Sequence, residues 1–183
     1  MRKTNGKRAA FMGMLTALML VLGFVEHMIP LGGAVPGMKL GLANTVLVYA
    51  LYLFNPLSGF ALMLMKVLAS GLLFGGVSAM MYSMAGGLLS MLGMILVKRL
   101  KGVGIIGVSV VGAVLHNVGQ VLLAMWILNT DKLVYYMAVL MIAAVVTGCL
   151  TGIAADRVLH VLKKAPGARP GQGDTSEKPR ASS

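Results

Sequence analysis

Apolar residues fall into six long blocks along this chain, at about 9–25, 40–54, 57–74, 78–97, 104–128 and 133–155. The blocks show no period-two alternation, so a membrane β-barrel is not expected. Most are about 18 to 24 residues long, enough to cross a hydrocarbon core of roughly 30 Å as helices. The second is shorter, and it ends at Asn55-Pro56, where the residue before proline is pushed out of the helical region and a turn is expected. The pattern therefore predicts an all-α integral membrane protein with six transmembrane helices. The first block has the look of a secretory signal. It is long for one, however, and Glu26-His27 would lie just upstream of any cut near Gly32-Gly33-Ala34, so it reads as an uncleaved first helix.

Composition agrees. Of 183 residues, 58% are hydrophobic and 11% charged, with a mean hydropathy of +0.88, which excludes an ordinary soluble domain. The net charge of +11 would suggest nucleic acid in a soluble protein. Here the basic residues stand at block ends: Arg2, Lys3, Lys7 and Arg8; Lys98, Arg99 and Lys101; Arg157, Lys163 and Lys164. The positive-inside rule places these ends, with both termini, in the cytoplasm of a cell-membrane protein. Lys39, Asp131 and Lys132 fall on the opposite side, where Trp126, Tyr135 and Tyr136 fit an interfacial aromatic belt. The expected organisation is a basic amino terminus over 1–8, a six-helix membrane domain over 9–160 and a disordered cytoplasmic tail over 161–183. Cys149 is the only cysteine and is expected to be a buried, inert thiol.

Polar groups inside the blocks are few, and each calls for a partner. Lys66 lies roughly ten residues into the third block, close to the bilayer midplane. A cation there costs roughly 2.5–3.5 kcal/mol on insertion scales. It either pairs with Glu26, fixing two helices, or faces an outward-opening cavity and receives an anionic ligand. His116, Asn117 and Gln120 place three hydrogen-bonding side chains within five residues, with His116 and Gln120 one turn apart on one face. They serve as interhelical hydrogen-bond partners or as a ligand site. The stretch from Glu26 to Asn44 adds Lys39, Asn44 and several glycines, next to a helix start that favours anions. Glu26, Lys39, Asn44, Lys66, His116, Asn117 and Gln120 thus form the candidate substrate site, with an anionic or carbonyl-rich ligand expected. Small residues recur one turn apart at Ala9-Gly13-Ala17 and Ser83-Gly87-Ser90. Both suit close helix packing, and the first also suits docking of a separate subunit.

Much catalytic chemistry is missing from the sequence. There is no Gly-x-x-x-x-Gly-Lys-Ser/Thr phosphate loop, and the five acidic residues are scattered rather than clustered for Mg²⁺. No nucleophile–base arrangement is legible, so no catalytic residue, metal site or cofactor is assigned.

Pro36-Gly37-Met38-Lys39-Leu40-Gly41-Leu42-Ala43-Asn44, Tyr82-Ser83-Met84-Ala85-Gly86-Gly87-Leu88-Leu89-Ser90 and Gly112-Ala113-Val114-Leu115-His116-Asn117-Val118-Gly119-Gln120 resemble the Gx transporter family over about residues 9–157. Its members are frequently labelled heptaprenyl diphosphate synthase component I. Lys66 stands where the family leads one to expect arginine, giving a point charge in place of a bidentate fork. The family is similar in turn to the substrate-binding S components of energy-coupling factor (ECF) importers. That resemblance implies a six-helix bundle that binds a nutrient from outside, with Ala9, Gly13 and Ala17 contacting a transmembrane coupling subunit that is joined to two ATPases. The family label implies an alternative: a non-catalytic membrane accessory of polyprenyl diphosphate and menaquinone metabolism, or of quinone-linked electron export, partnered by a polyprenyl synthase or redox proteins and holding an isoprenoid chain in an apolar groove.

Overall fold

The computed structural model describes residues 2–28 and 43–164. Six α-helices make up this part: α1 (Arg2–Met28), α2 (Asn44–Leu53), α3 (Pro56–Ser70), α4 (Gly76–Lys98), α5 (Ile105–Leu128) and α6 (Leu133–Lys164). No strand occurs among the described residues. Five helices are long and apolar enough to cross a membrane, which makes the chain a multi-pass membrane protein. The sixth, α2, has ten residues and spans about 15 Å, half a hydrocarbon core.

Local sequence sets the boundaries. Asn55 caps α3: its Oδ1 accepts from the Ser58 N–H at 2.9 Å and from the Ser58 hydroxyl at 2.7 Å. Pro56 follows at the first helical position, where the missing N–H costs nothing. The far end of α3 widens into one π-helical turn, Gly71–Gly75, and the chain then reverses at Gly76. That glycine has φ +66° and open space where a Cβ would sit, so the backbone conformation, not crowding, calls for glycine. Asn129, at φ 46°, closes α5 in the left-handed region, which asparagine tolerates better than most residues. α6 outruns its apolar block by nine residues. Beyond Ala155 it is amphipathic, with His160 Nε2 lying 3.9 Å from Asp156 Oδ2 one turn earlier.

α2 is the axis of the bundle. Every residue from Asn44 to Leu51 is buried, as expected of a helix that is apolar all round. Leu15 and Met19 of α1, Leu62 and Met63 of α3, Met91 and Met94 of α4, Val108 of α5, and Ala155 and Leu159 of α6 join it in one core. A smaller cluster of Tyr82, Val121, Ala124, Leu133 and Leu140 fills the other end.

Helix contacts place the basic ends together. Lys98, closing α4, donates to the Leu51 carbonyl at the end of α2 and lies over the Tyr52 ring, while Phe11 of α1 packs on Phe54 just past α2. At the opposite end Trp126 and Tyr135 are 79% and 85% exposed. α6 continues to Lys164, past position 161. Residues 165–183 lie outside the described part, as does Lys39. Cys149, expected to be buried, is half-buried on α6.

Candidate functional site

Polar groups collect at mid-depth, and helix geometry explains why. Asn44 opens α2 nine residues before its end at Leu53, and Lys66 lies ten residues into α3. α2 ends and α3 begins at the same basic face, so both side chains stand about 14–15 Å from it. There Lys66 Nζ donates to Asn44 Oδ1 at 2.7 Å, with both residues only 4% exposed. An ammonium can only donate, so the amide must turn its oxygen to Lys66 and its NH₂ away. That NH₂ is buried and has no hydrogen-bond partner among the described residues. Asn44 is neutral, so the contact orients the ammonium without balancing its charge. Glu26, one of the two partners considered for Lys66, is buried on α1 at 4% exposure.

His116, Asn117 and Gln120 lie at a similar or slightly greater depth on α5, with His116 about 17 Å from the start of the helix. All three are essentially fully buried. Gln120 Nε2 lies 2.7 Å from His116 Nε2. With the amide donating, a neutral ring carries its proton on Nδ1. Asn117 Nδ2 donates to the Leu140 carbonyl of α6 at 3.1 Å, and its Oδ1 is buried with no partner among the described residues.

α4 makes room for this group. A Cβ on Gly86 would sit 2.5 Å from the His116 carbonyl oxygen and 2.9 Å from His116 Nδ1, and one on Gly119 would sit 2.8 Å from the Ala85 carbonyl oxygen. The two helices meet backbone to backbone, and the imidazole is pressed against Gly86. One turn on, Ser90 is wholly buried and its hydroxyl has no partner among the described residues.

The structure therefore brings Asn44 and Lys66 together as one hydrogen-bonded pair and His116 and Gln120 as another. It ties Asn117 to α6. Sequence reading named Ser90 as part of a small-residue packing face but missed Gly86 and Gly119 as the close approach behind His116. It also missed the Gly148-x-x-x-Gly152 spacing, at which α6 lies on α5 so closely that Cβ atoms would be 2.7 Å from the Val110 Cα and 2.8 Å from the Ile106 Cα. The spacing itself was the available signal. Beside it, Ser109 and Thr151 hydroxyls share a 3.0 Å hydrogen bond. Ala9, Gly13 and Ala17 are all exposed, and nothing lies within 4 Å of where a Gly13 Cβ would be.

Among the described residues no three histidine, cysteine, aspartate or glutamate side chains gather as metal ligands. The arrangement offers buried donors, one imidazole and one ammonium. That chemistry can hold and orient a polar solute in an apolar medium.

No curated protein and no solved structure matches the chain. A family model described as heptaprenyl diphosphate synthase component I matches residues 15–158, which takes in α2 to α5 whole, most of α6, about half of α1 and every candidate substrate-site residue, Lys39 included. With well over half of its length matched, the chain belongs to the heptaprenyl diphosphate synthase component I family.

Proposed function

We propose that this chain is the solute-binding membrane subunit of a multi-subunit uptake system, similar in role to the S components of ECF importers, and that it takes a small anionic or carbonyl-rich solute from outside. The observation that carries this reading is the buried Lys66–Asn44 pair at mid-depth. Intramembrane ionisable groups are costly and mark ligand or ion pathways. In this reading α2 completes a six-helix bundle, the basic ends are cytoplasmic, Lys39 lines the outer mouth, and Glu26, Asn44, Lys66, His116, Asn117 and Gln120 form the site. The exposed Ala9-Gly13-Ala17 stripe docks the coupling subunit, with paired ATPases supplying the energy.

The family description supports a second reading. A component I implies a component II, so the chain would serve polyprenyl diphosphate and menaquinone metabolism as a non-catalytic membrane partner that holds isoprenoid. The two readings differ in company. Affinity purification from gently solubilised native membranes, with mass spectrometry of proteins and small molecules, separates them. Recovery of a coupling subunit with two ATPases establishes the uptake reading. Recovery of a soluble polyprenyl synthase without ATPases establishes the accessory.

A further inference from the structure

α2 is a half-length helix whose amino-terminal end lies inside the bundle rather than at its surface. The first N–H groups of any helix lack intrahelical acceptors, and they carry the positive end of the helix dipole. Here Ala43 precedes Asn44 and supplies no side-chain cap. Of these first N–H groups, that of Val46 turns back to the Ala43 carbonyl at 3.3 Å, and the positive end of the dipole stands about 15 Å from the basic face.

A second observation points the same way. Asn44, the first residue of α2, is 4% exposed, its oxygen is committed to Lys66, and its NH₂ is buried with no partner among the described residues. Two side-chain donors thus meet at the positive end of the helix dipole: the amide NH₂ and the ammonium that fixes the amide. The one side-chain acceptor of Asn44 is already engaged by Lys66. The complementary group is rich in acceptors and negative.

We infer that the amino-terminal end of α2, with Asn44 and Lys66, is an oxyanion site that holds the phosphate or carboxylate group of the ligand at the middle of the membrane. The inference rests on the solute-binding reading and specifies which part of the solute is recognised, and where. Asn44 contacts the anion through Nδ2, and Lys66 both positions that amide and contributes charge. The same chemistry suits a free anion or the head group of a prenyl diphosphate.

The test uses the full chain in lipid nanodiscs, with thermal unfolding followed in the presence of sodium benzoate, inorganic diphosphate or geranyl diphosphate. Wild type is expected to show saturable stabilisation by at least one probe. A response to benzoate or inorganic diphosphate assigns a free anion, whereas a response to geranyl diphosphate alone assigns a prenylated head group. Asn44→Asp keeps the fold by giving Lys66 a carboxylate, yet places a negative charge in the site. It is expected to unfold no lower than wild type while its affinity for the responding probe falls at least tenfold. Asn44→Leu, which removes the donors without adding charge, should weaken binding in the same direction. If no probe stabilises wild type, or if Asn44→Asp binds as well as wild type, the inference is overturned. A native solute that co-purifies equally with wild type and Asn44→Asp would leave the solute-binding reading standing and remove only this site.

Discussion

The carbonyl oxygen of His116 lies 2.5 Å from the point a methyl group would occupy on Gly86. The obstacle is backbone on the facing helix, which cannot swing aside as a side chain can. Gly86→Ala is therefore expected to force α4 and α5 apart and to lower stability by about 1–3 kcal/mol, read as a lower unfolding temperature in nanodiscs. Gly13→Ala, where nothing lies within 4 Å, is the matched control and should unfold as wild type does.

Lys98 ties α4 to α2 by donating to the Leu51 carbonyl and resting 4.6 Å from the centre of the Tyr52 ring. The residue is largely exposed, so solvent screens the contact, and Lys98→Met should cost about 0.5–1 kcal/mol. Lys98→Arg should retain most of that stability, because a guanidinium donates and stacks at least as well. Equal unfolding temperatures for all three proteins would show that the contact contributes nothing.

Asn117 separates packing from recognition. Its bond to the Leu140 carbonyl resembles other interhelical hydrogen bonds in membranes, worth about 0.6 kcal/mol, and leucine, with the same branched heavy-atom shape, would also remove the buried Oδ1. Asn117→Leu is expected to change stability by less than about 1 kcal/mol while losing any solute that co-purifies with wild type. Undiminished solute in a normally folded variant would take Asn117 out of the site.

Lys66→Arg keeps the cation and should keep the solute. Lys66→Met removes a charge-assisted interaction of about 1.5–3 kcal/mol, so affinity should fall roughly ten- to a hundredfold. Quantitative mass spectrometry of ligand retained per mole of protein distinguishes these outcomes.

The number and order of helices were legible because each long helix coincides with an apolar block, and Asn55-Pro56 marked the break between the second and third. The end of α6 was misplaced since Asp156 and Arg157 mark the limit of the apolar run, not of the helix, which continues to Lys164. The central position of α2 was hidden. When nearly every segment is apolar all round, hydrophobicity no longer tells which helix faces the others and which faces lipid. The same ambiguity affects the small-residue stripes. Gly148 and Gly152 are spent on α5, whereas Ala9, Gly13 and Ala17 are left exposed, and the spacing in the two places is alike. The buried polar residues stood out in the sequence because so few exist. Their division into Lys66 with Asn44 and His116 with Gln120 follows from the order in which helices pack, which no local pattern encodes.

The shortness of α2 bears on how the protein is made. Ten residues fall well below the roughly 20 that a spanning helix needs, so this segment does not qualify for membrane insertion on its own merits. Its residence in the bilayer depends on the walls that α1, α3, α4, α5 and α6 raise around it, the last of which leaves the ribosome more than a hundred residues after Asn44. Assembly is then expected to end with the enclosure of α2.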